Sequence, residues 1–161
     1  MAFDNLTALL DATGWKILEL LQQNGRMSFA ELGRRVGLTL PAAAERVRKL
    51  QDAGVIAGFR ADINPAKIGL PITAFIRISI MGDVYARVVK AVRDMPEVLE
   101  CHRGTGADSF TLKVVVESVQ HLEALIDRLT PYGTTSTSVV LSTLVKHRAF
   151  ARRGSAALRR K

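Results

Sequence analysis

The sequence predicts an α+β protein of two units, a small three-helix unit followed by a sandwich of strands and helices. Residues 26–59 hold two short helix patterns on either side of Gly37 and then a β-like segment, the order of a winged helix-turn-helix. From residue 72 the apolar residues follow a two-residue period that alternates with helical periods. Pro and Gly cluster in residues 64–71, which predicts a hinge between residues 1–63 and the second unit.

The first predicted helix covers Asp11 to Asn24. Ile17, Leu18 and Leu21 form one apolar stripe at helical spacing. Gly25 follows in the position of a C-terminal stop, so the helix ends there.

Two further helices are predicted from their capping residues. Ser28 and Glu31 have the spacing of a capping box, and this helix ends at Gly37. Thr39 caps the third helix, with Pro41 in the first turn, where a missing N–H costs nothing. The apolar face of the third helix consists of Leu40, Ala43, Val47 and Leu50. Residues 55–64, which include Gly58, then predict a short two-stranded wing.

The second unit, residues 72–149, reads as β-α-β-β-α-β. Strands are predicted at 72–81, 98–104, 110–117 and 135–146, with helices over 84–95 and from Ser118 onward. This order predicts a ferredoxin-like sandwich with both helices on one face of an antiparallel sheet. We expect the other face to carry apolar groups and to pair with a second copy of the chain. Residues 150–161 form a basic tail.

Positive charge is concentrated in two places. The chain has 161 residues and a formal net charge of +8. Residues 26–60 hold seven basic and three acidic residues, residues 71–145 hold seven and eight, and residues 146–161 hold seven basic residues alone. This distribution favours contact with phosphate through the helix-turn-helix and the tail, with simple solubility as the alternative.

The sequence lacks the residues that a disulfide or a metal site would need. Cys101 is the single cysteine, so an internal disulfide and a cysteine-based metal cage are excluded. The three histidines, His102, His121 and His147, lie on separate elements without metal-like spacing. We expect no metal and no cofactor. Without a secretory signal or a membrane-spanning run, the expected location is cytosolic, at the nucleoid.

The third helix is the expected recognition helix, because the second helix of a helix-turn-helix enters the major groove of DNA. Arg46 is the predicted base reader, since a guanidinium can donate two hydrogen bonds to guanine. Thr39 and Ala42 present small groups to thymine methyls or to the backbone. Arg48 binds phosphate or, alternatively, pairs with Glu45 or Asp52. The remaining predicted members of this DNA-binding surface are Ser28, Arg34, Arg35, Pro41, Glu45, Lys49 and Arg60.

The combination resembles the Lrp/AsnC ("feast/famine") family of transcription regulators, over about residues 10–150. The resemblance rests on the order and spacing of short stretches: 10–11 with 17–18, 31–32 with 36–38, 45–50, 54–59 running into 64–65, and 99–102 leading to 105–106. Two positions depart from the family pattern. Gly14 stands where an acidic residue is common, and Gly106-Ala107-Asp108-Ser109-Phe110 replaces Gly-Asp-Tyr-Asp-Tyr.

The resemblance implies a RAM-type second domain that forms homodimers, often assembled into octamers, with an amino acid bound between subunits. The residues that would form this effector pocket are His102, Thr105, Gly106, Asp108, Ser109, Thr135, Thr137 and Ser138. Asp108 would meet an ammonium group, and glycine N–H groups a carboxylate. The alternative is a polar turn and a threonine-rich strand that bind no ligand.

Two other functions fit the same architecture. Siroheme decarboxylases are similar in fold, but such an enzyme needs histidine and arginine around a tetrapyrrole and has no use for a basic recognition helix. An effector-binding oligomer without DNA binding is the other alternative. The basic third helix favours a DNA-binding regulator, which is not an enzyme.

Overall fold

The computed structural model describes residues 2–80 and 82–152, which form two compact units. The first unit runs to Asp62 and also includes the described residues from Val145 onward, and the second runs from Ile63 to Leu144. The helices of the first unit are α1 (Ala2–Leu9), α2 (Ala12–Gln23), α3 (Phe29–Val36) and α4 (Leu40–Asp52). The second unit contains β1 (Ile72–Ser79), α5 (Tyr85–Arg93), β2 (Val98–Arg103), β3 (Phe110–Val116), α6 (Val119–Leu129) and β4 (Thr134–Val139).

The core of the first unit joins its helices through aliphatic side chains. Ile17 of α2, Leu32 of α3 and Leu50 of α4 have no exposed surface. Burying each such side chain contributes about 1.5–3 kcal/mol. The predicted α2 is confirmed, with Asp11 and Asn24 as its flanking cap residues.

An additional helix, α1, precedes the three predicted ones. It has only eight residues, and its sequence shows too short an apolar stripe to stand out from a flexible terminus. Leu9, at its end, is buried in the core of the first unit. Tertiary packing, rather than local propensity, therefore explains this helix.

The predicted two-stranded wing is wrong for this structure: among residues 53–71, all of which are described, no strand forms. Gly54 and Gly58 have positive φ angles of 70° and 156°. Val55 and Ile56 pack against the core, whereas Phe59 is exposed. An isolated two-stranded hairpin is marginal in water, and the described elements of this unit are helices, which cannot extend it into a sheet.

The second unit confirms the ferredoxin-like prediction. Its four strands are all antiparallel in the order β2-β3-β1-β4. Ile76, at the centre of β1, is fully buried and lies opposite Leu112 of β3 and Thr137 of β4. Helices α5 and α6 cover this face through residues such as Val88 and Leu125.

The last strand is shorter than predicted. β4 ends at Val139, opposite Ala74, and one further backbone hydrogen bond follows, from Val140 N to Thr73 O at 2.9 Å. Residues 140–146, predicted as strand, are irregular. Leu141 and Leu144 in this segment are 96% and 92% exposed.

The segment that follows, which we call the C-terminal strap (residues 145–152), belongs to the first unit. Lys146 Nζ lies 2.9 Å from Asp62 Oδ2. The Gln22 side chain accepts a hydrogen bond from Phe150 N (2.7 Å) and donates one to Phe150 O (3.0 Å). The chain therefore passes between the units twice, whereas the predicted division kept residues up to 149 in the second. Of the predicted basic tail, residues 153–161 lie outside the described residues.

Candidate nucleic-acid interface and effector region

Both predicted helix caps are present at the helix-turn-helix. Ser28 Oγ accepts a hydrogen bond from Glu31 N at 3.2 Å, and Thr39 Oγ1 accepts one from Ala42 N at 3.4 Å. The reciprocal half of the predicted capping box is absent. The Glu31 carboxylate instead pairs with Arg35, at 2.6 Å. The serine alone therefore caps α3.

The turn between α3 and α4 is tight. Gly37 adopts a left-handed conformation with φ 73°, and its N–H bonds to Gly33 O. A Cβ on Gly33 would lie 2.6 Å from Leu38 O. This close backbone approach fixes the direction in which α4 leaves the turn.

Helix α4 buries one face and leaves the other open. Ala43, Val47 and Leu50 are buried, as predicted, but Leu40 is 52% exposed. Leu40, in the first turn of α4, belongs to the predicted apolar face but is not part of the core. The exposed side consists of Pro41, Ala42, Glu45, Arg48, Lys49 and Asp52. This outward face is the candidate DNA-reading surface.

Arg48, at the centre of the outward face, pairs with both neighbouring carboxylates. Its Nη2 lies 2.8 Å from Glu45 Oε1, and its Nη1 lies 2.8 Å from Asp52 Oδ2. The hydrogen bond from Arg48 lowers the pKa of Glu45, and the same bond raises the pKa of Arg48. The structure therefore shows the alternative prediction for Arg48, in which it pairs with carboxylates of its own helix. Exposed pairs of this kind exchange readily for other partners.

Other cations around α4 differ in how far they are neutralised. Lys49 lies 3.6 Å from Glu45, and Arg35 is paired with Glu31. Within the described part of the chain, Arg34 and Arg60 have no carboxylate partner and both are exposed. Their positive charge is available to phosphate.

Arg46 is held inside the first unit. Its Nη2 lies 2.6 Å from Asp11 Oδ1 and donates to Ala8 O at 3.0 Å. Its side chain is 26% exposed, and its Nε is buried with no hydrogen-bond partner among the residues that the structure describes. The guanidinium is thus occupied, whereas the predicted base reader needs a free one. The periodicity of α4 already placed Arg46 beside the core-facing stripe, but its partner 35 residues away gave no sequence signal.

The open face of the sheet carries polar groups in transverse rows. His102, Thr111, Arg77 and Ser136 lie opposite one another across all four strands. The neighbouring row consists of Glu100, Lys113, Phe75 and Ser138. The prediction of an apolar face is therefore wrong for these two rows, in which Phe75 is the apolar member.

Within these rows, His102 and Lys113 share one carboxylate. Lys113 Nζ lies 2.9 Å and His102 Nε2 3.2 Å from Glu100. Hydrogen bonds from Lys113 and His102 lower the pKa of Glu100. His102 thus has a structural partner on the open face of the sheet.

The loop of residues 104–109 brings Asp108 to the end of β1. Ser79 Oγ lies within hydrogen-bond distance of Asp108 Oδ1, at 3.1 Å, and Arg77 Nε lies 3.5 Å from Oδ2. Ser109 closes the loop: its N donates to Ile78 O at 2.9 Å and its Oγ accepts from Ile80 N at 3.4 Å. Thr105 and Gly106 are exposed at the tip.

The hydroxyls predicted on the last strand do not share a face. Thr135 and Thr137 lie opposite Ile78 and Ile76, on the helix-covered side, whereas Ser138 lies opposite Phe75 on the open side. Because successive strand residues alternate in direction, the hydroxyls of Thr135 and Thr137 lie on the opposite face of the sheet from that of Ser138.

Arg77, Ser79 and Ser136 complete this region and were missed by the sequence reasoning. Arg77 Nη2 donates to Ser136 Oγ at 3.0 Å. An arginine inside an otherwise apolar strand was the available signal. Strand alternation would have placed Ser136, rather than its neighbours, beside Arg77.

A separate charged cluster ties α6 to the ends of β2 and β3. The Glu97 carboxylate, 11% exposed, accepts from His121 Nε2 at 3.1 Å and contacts Arg128. Burial opposes ionisation of Glu97, but the bonds from His121 and Arg128 prevail and lower its pKa. No group of three metal-ligating side chains occurs in the described residues, and none of the described helices is long and apolar enough to cross a membrane.

Both units match known protein families. Residues 10–57 match the winged helix-turn-helix DNA-binding family, and residues 73–150 match the Lrp/AsnC ligand binding domain. The HTH-type transcriptional regulator YezC of Bacillus subtilis is 45% identical over 141 residues, which cover 88% of this chain and 100% of the relative.

Solved structures agree with this assignment. Bacillus subtilis LrpC superposes with a TM-score of 0.81 at 32% identity, over 84% of this chain and 97% of LrpC. The transcriptional regulator NMB0573 of Neisseria meningitidis, solved as a complex with L-Met, gives a TM-score of 0.82 at 31% identity, over 88% of this chain and 96% of its own.

The matched relatives are transcriptional regulators, which contradicts the alternative of a siroheme-decarboxylase-like enzyme. The helix-turn-helix provides DNA binding, and the sheet unit is a ligand-binding domain, which fits regulation by a small effector. The chain belongs to the Lrp/AsnC family of DNA-binding transcription regulators.

Proposed function

We propose that α4 is the recognition helix and that its outward face reads base edges in the major groove. One observation carries this proposal: a capped helix leaves a tight turn with one buried face and one charged, exposed face. Arg48 and Glu45 lie at the centre of that face and offer hydrogen-bond donors and acceptors to bases. Ala42 and Thr39, near the start of α4, leave room for thymine methyls.

The surrounding cations hold the DNA backbone in this proposal. Arg34 and Arg60, which have no carboxylate partner in the described part of the chain, contact phosphate directly, while Arg35 and Lys49 exchange their carboxylate partners for phosphate. Ser28 and Pro41 lie at the starts of α3 and α4, where exposed backbone N–H groups favour anions. In the cell, the proposed place of action is the nucleoid.

Fluorescence anisotropy on a duplex from the upstream region of the chain's own gene tests this surface. Arg34→Ala should weaken specific and scrambled DNA alike and reduce the salt slope by about 1, since one phosphate contact is lost. Arg48→Ala should reduce the preference for the specific duplex by about tenfold. Arg87→Ala, an exposed cation on α5, is the matched control and should change neither. Equal weakening by Arg34→Ala and Arg87→Ala would refute the proposed surface.

The second unit is proposed to bind an amino acid at the end of β1. Arg77 and Asp108 place opposite charges 3.5 Å apart on an exposed surface, which complements the carboxylate and ammonium groups of a zwitterion. Ser109 and the Thr105–Gly106 tip adjoin this pair, and Ser136 and His102 lie in the same row. Thr135, Thr137 and Ser138 belong to the neighbouring strand. The complex of NMB0573 with L-Met supports this ligand class.

Isothermal titration with individual amino acids tests the effector. Asp108→Asn should abolish the heat of binding, because the side chain that pairs with the ammonium group of the ligand then carries no charge. Glu123→Gln, an exposed carboxylate on α6, should leave the heat unchanged. Absence of heat with every amino acid in the unchanged protein would show that this region is a polar turn without a ligand.

The proposed assembly is a homodimer through the open sheet face, with further association to a higher oligomer such as an octamer. Phe75 is 40% exposed between Lys113 and Ser138, an aromatic group that a second copy would cover. Sedimentation velocity should show Phe75→Glu shifted to smaller species. Val119→Glu, at a 66% exposed position on α6, should sediment like the unchanged protein. Identical sedimentation of both variants would refute this interface.

A further inference from the structure

Arg46 lies at the point where three helices meet. Its Nη2 contacts the last two carbonyls of α1, Ala8 O at 3.0 Å and Leu9 O at 3.5 Å. The same nitrogen is 2.6 Å from Asp11 Oδ1, at the start of α2. One side chain of α4 therefore contacts both the end of α1 and the start of α2.

Asp11 contributes through the same oxygen to two contacts. Its Oδ1 accepts from Gly14 N at 2.7 Å, which caps α2, and also meets Arg46. The hydrogen bond from Gly14 N, followed by that from Arg46, lowers the pKa of Asp11. A charged carboxylate thus links the N-terminus of α2 to the middle of α4.

Gly14 permits the corner between α1 and α2 to close. A Cβ at this position would lie 1.9 Å from Leu9 O, a distance that no side chain tolerates. Leu9 O belongs to the pair of carbonyls that Arg46 contacts. Any larger residue at position 14 would push the end of α1 away from α4.

The end of α1 also lies beside the proposed DNA-reading surface. A groove of about 790 Å³ is lined by Ala8 and Leu9 on the α1 side and by Ala42, Glu45 and Arg48 on the α4 side. Since Arg46 fixes Ala8 and Leu9 against α4, it sets the position of one wall of this groove.

We propose that Arg46, Asp11 and Gly14 form a lock that positions the recognition helix, with Arg46 as a positioning residue that contacts no base. This inference rests on the proposed reading of DNA by α4. A positioning role and a base-reading role predict different results. Loss of the lock removes no base or phosphate contact, so it should weaken binding to all duplexes and leave the preferred sequence unchanged.

Anisotropy with the full chain tests the lock, at a temperature where circular dichroism shows every variant folded. Arg46→Gln and Gly14→Ala should each weaken specific and scrambled duplexes by the same factor, about two- to thirtyfold, with an unchanged salt slope. Arg46→Lys should restore part of the affinity. Asp11→Asn combined with Arg46→Gln should be about as weak as Arg46→Gln alone, since the two residues act as one unit.

A changed base preference, or unchanged affinity, in Arg46→Gln would overturn the proposal. Amide hydrogen exchange without DNA separates this outcome from failure of the proposed function. Arg46→Gln should accelerate exchange at the end of α1 and the start of α2, even if the unchanged protein shows no preference among duplexes. Equal exchange rates in both proteins would refute the lock by themselves.

Discussion

The two units hold their charged site residues in opposite ways. On α4, Arg48 pairs with residues three positions before and four positions after it on the same exposed helix face. On the sheet, Arg77 pairs with Asp108 and contacts Ser136, residues far away in sequence that the strand order brings together. Helical spacing alone sets the partners of Arg48, whereas the strand register and the 104–109 loop set which residues lie beside Arg77.

This difference suits the roles of the two units. A helix that binds DNA must release its carboxylate partners when phosphates or bases approach. A small-molecule site needs groups held in place before the ligand arrives. On α4 itself, Arg46 differs from Arg48, since its contacts with Asp11 and the end of α1 are nonlocal like those of the sheet.

The largest expected effect comes from the separate cores of the two units. Leu32→Ala in the first and Ile76→Ala in the second each remove a fully buried side chain and should cost about 2–5 kcal/mol. In urea, fluorescence of Trp15, the single tryptophan, reports on the first unit. The urea concentration at the midpoint of the Trp15 fluorescence transition should fall more for Leu32→Ala than for Ile76→Ala. Equal shifts in both variants would mean that the two units unfold together and do not have independent stability.

The turn before α4 should be the next most sensitive feature. Gly33→Ala forces a Cβ to within 2.6 Å of Leu38 O and should cost about 1–3 kcal/mol in thermal or urea unfolding. Gly25→Ala is the control, because its Cβ would lie 3.4 Å from Phe59, close to an ordinary contact. Similar losses in both variants would show that the turn is not held by the close approach.

The cluster around Glu97 predicts a dependence of stability on pH. Because the pKa of Glu97 lies below its usual value of 4.5, its contribution is present above that pH and is lost as the pH falls through the folded-state pKa. Glu97→Gln should cost about 1–3 kcal/mol at neutral pH and reduce the loss in acid. Glu100→Gln, at an exposed site, should have a smaller effect. A Glu97→Gln profile parallel to that of the unchanged protein would contradict this.

The smallest effect is expected at the C-terminal strap. Gln22→Leu removes two hydrogen bonds to Phe150 and should lower the free energy of unfolding by about 0.5–1.5 kcal/mol. The informative measurement is amide hydrogen exchange. The exchange rate at Phe150 should rise strongly in the variant, while the free energy of global unfolding should change little. Protection that persists in the variant would show that other contacts hold the strap.

Features set by neighbouring residues were predictable from the sequence. Ser28 and Thr39 cap helices within three residues of themselves, and the alternation in β1 identified its buried face. Pairing of Arg48 with Glu45 and Asp52 follows from helical spacing alone. The β-α-β-β-α-β order of elements in the second unit also followed from the sequence pattern.

Features that depend on distant residues were not predictable. Helix α1 is stabilised by packing, and the role of Arg46 depends on Asp11 and the carbonyls before it. Gly14, which departs from the common family pattern, is explained by the position of Leu9 O. A two-stranded wing was predicted for residues 55–64, but the described residues of the first unit contain no strand that would stabilise it.

The most direct test of the account is selection of preferred sites from a random duplex library, carried out in parallel with the unchanged protein and Arg48→Gln. If the outward face of α4 reads DNA, the unchanged protein should select a defined half-site motif, and Arg48→Gln should lose the preference at one base pair of each half-site while keeping the rest. The same motif from both proteins would contradict the account, because Arg48 would then lie outside the reading surface.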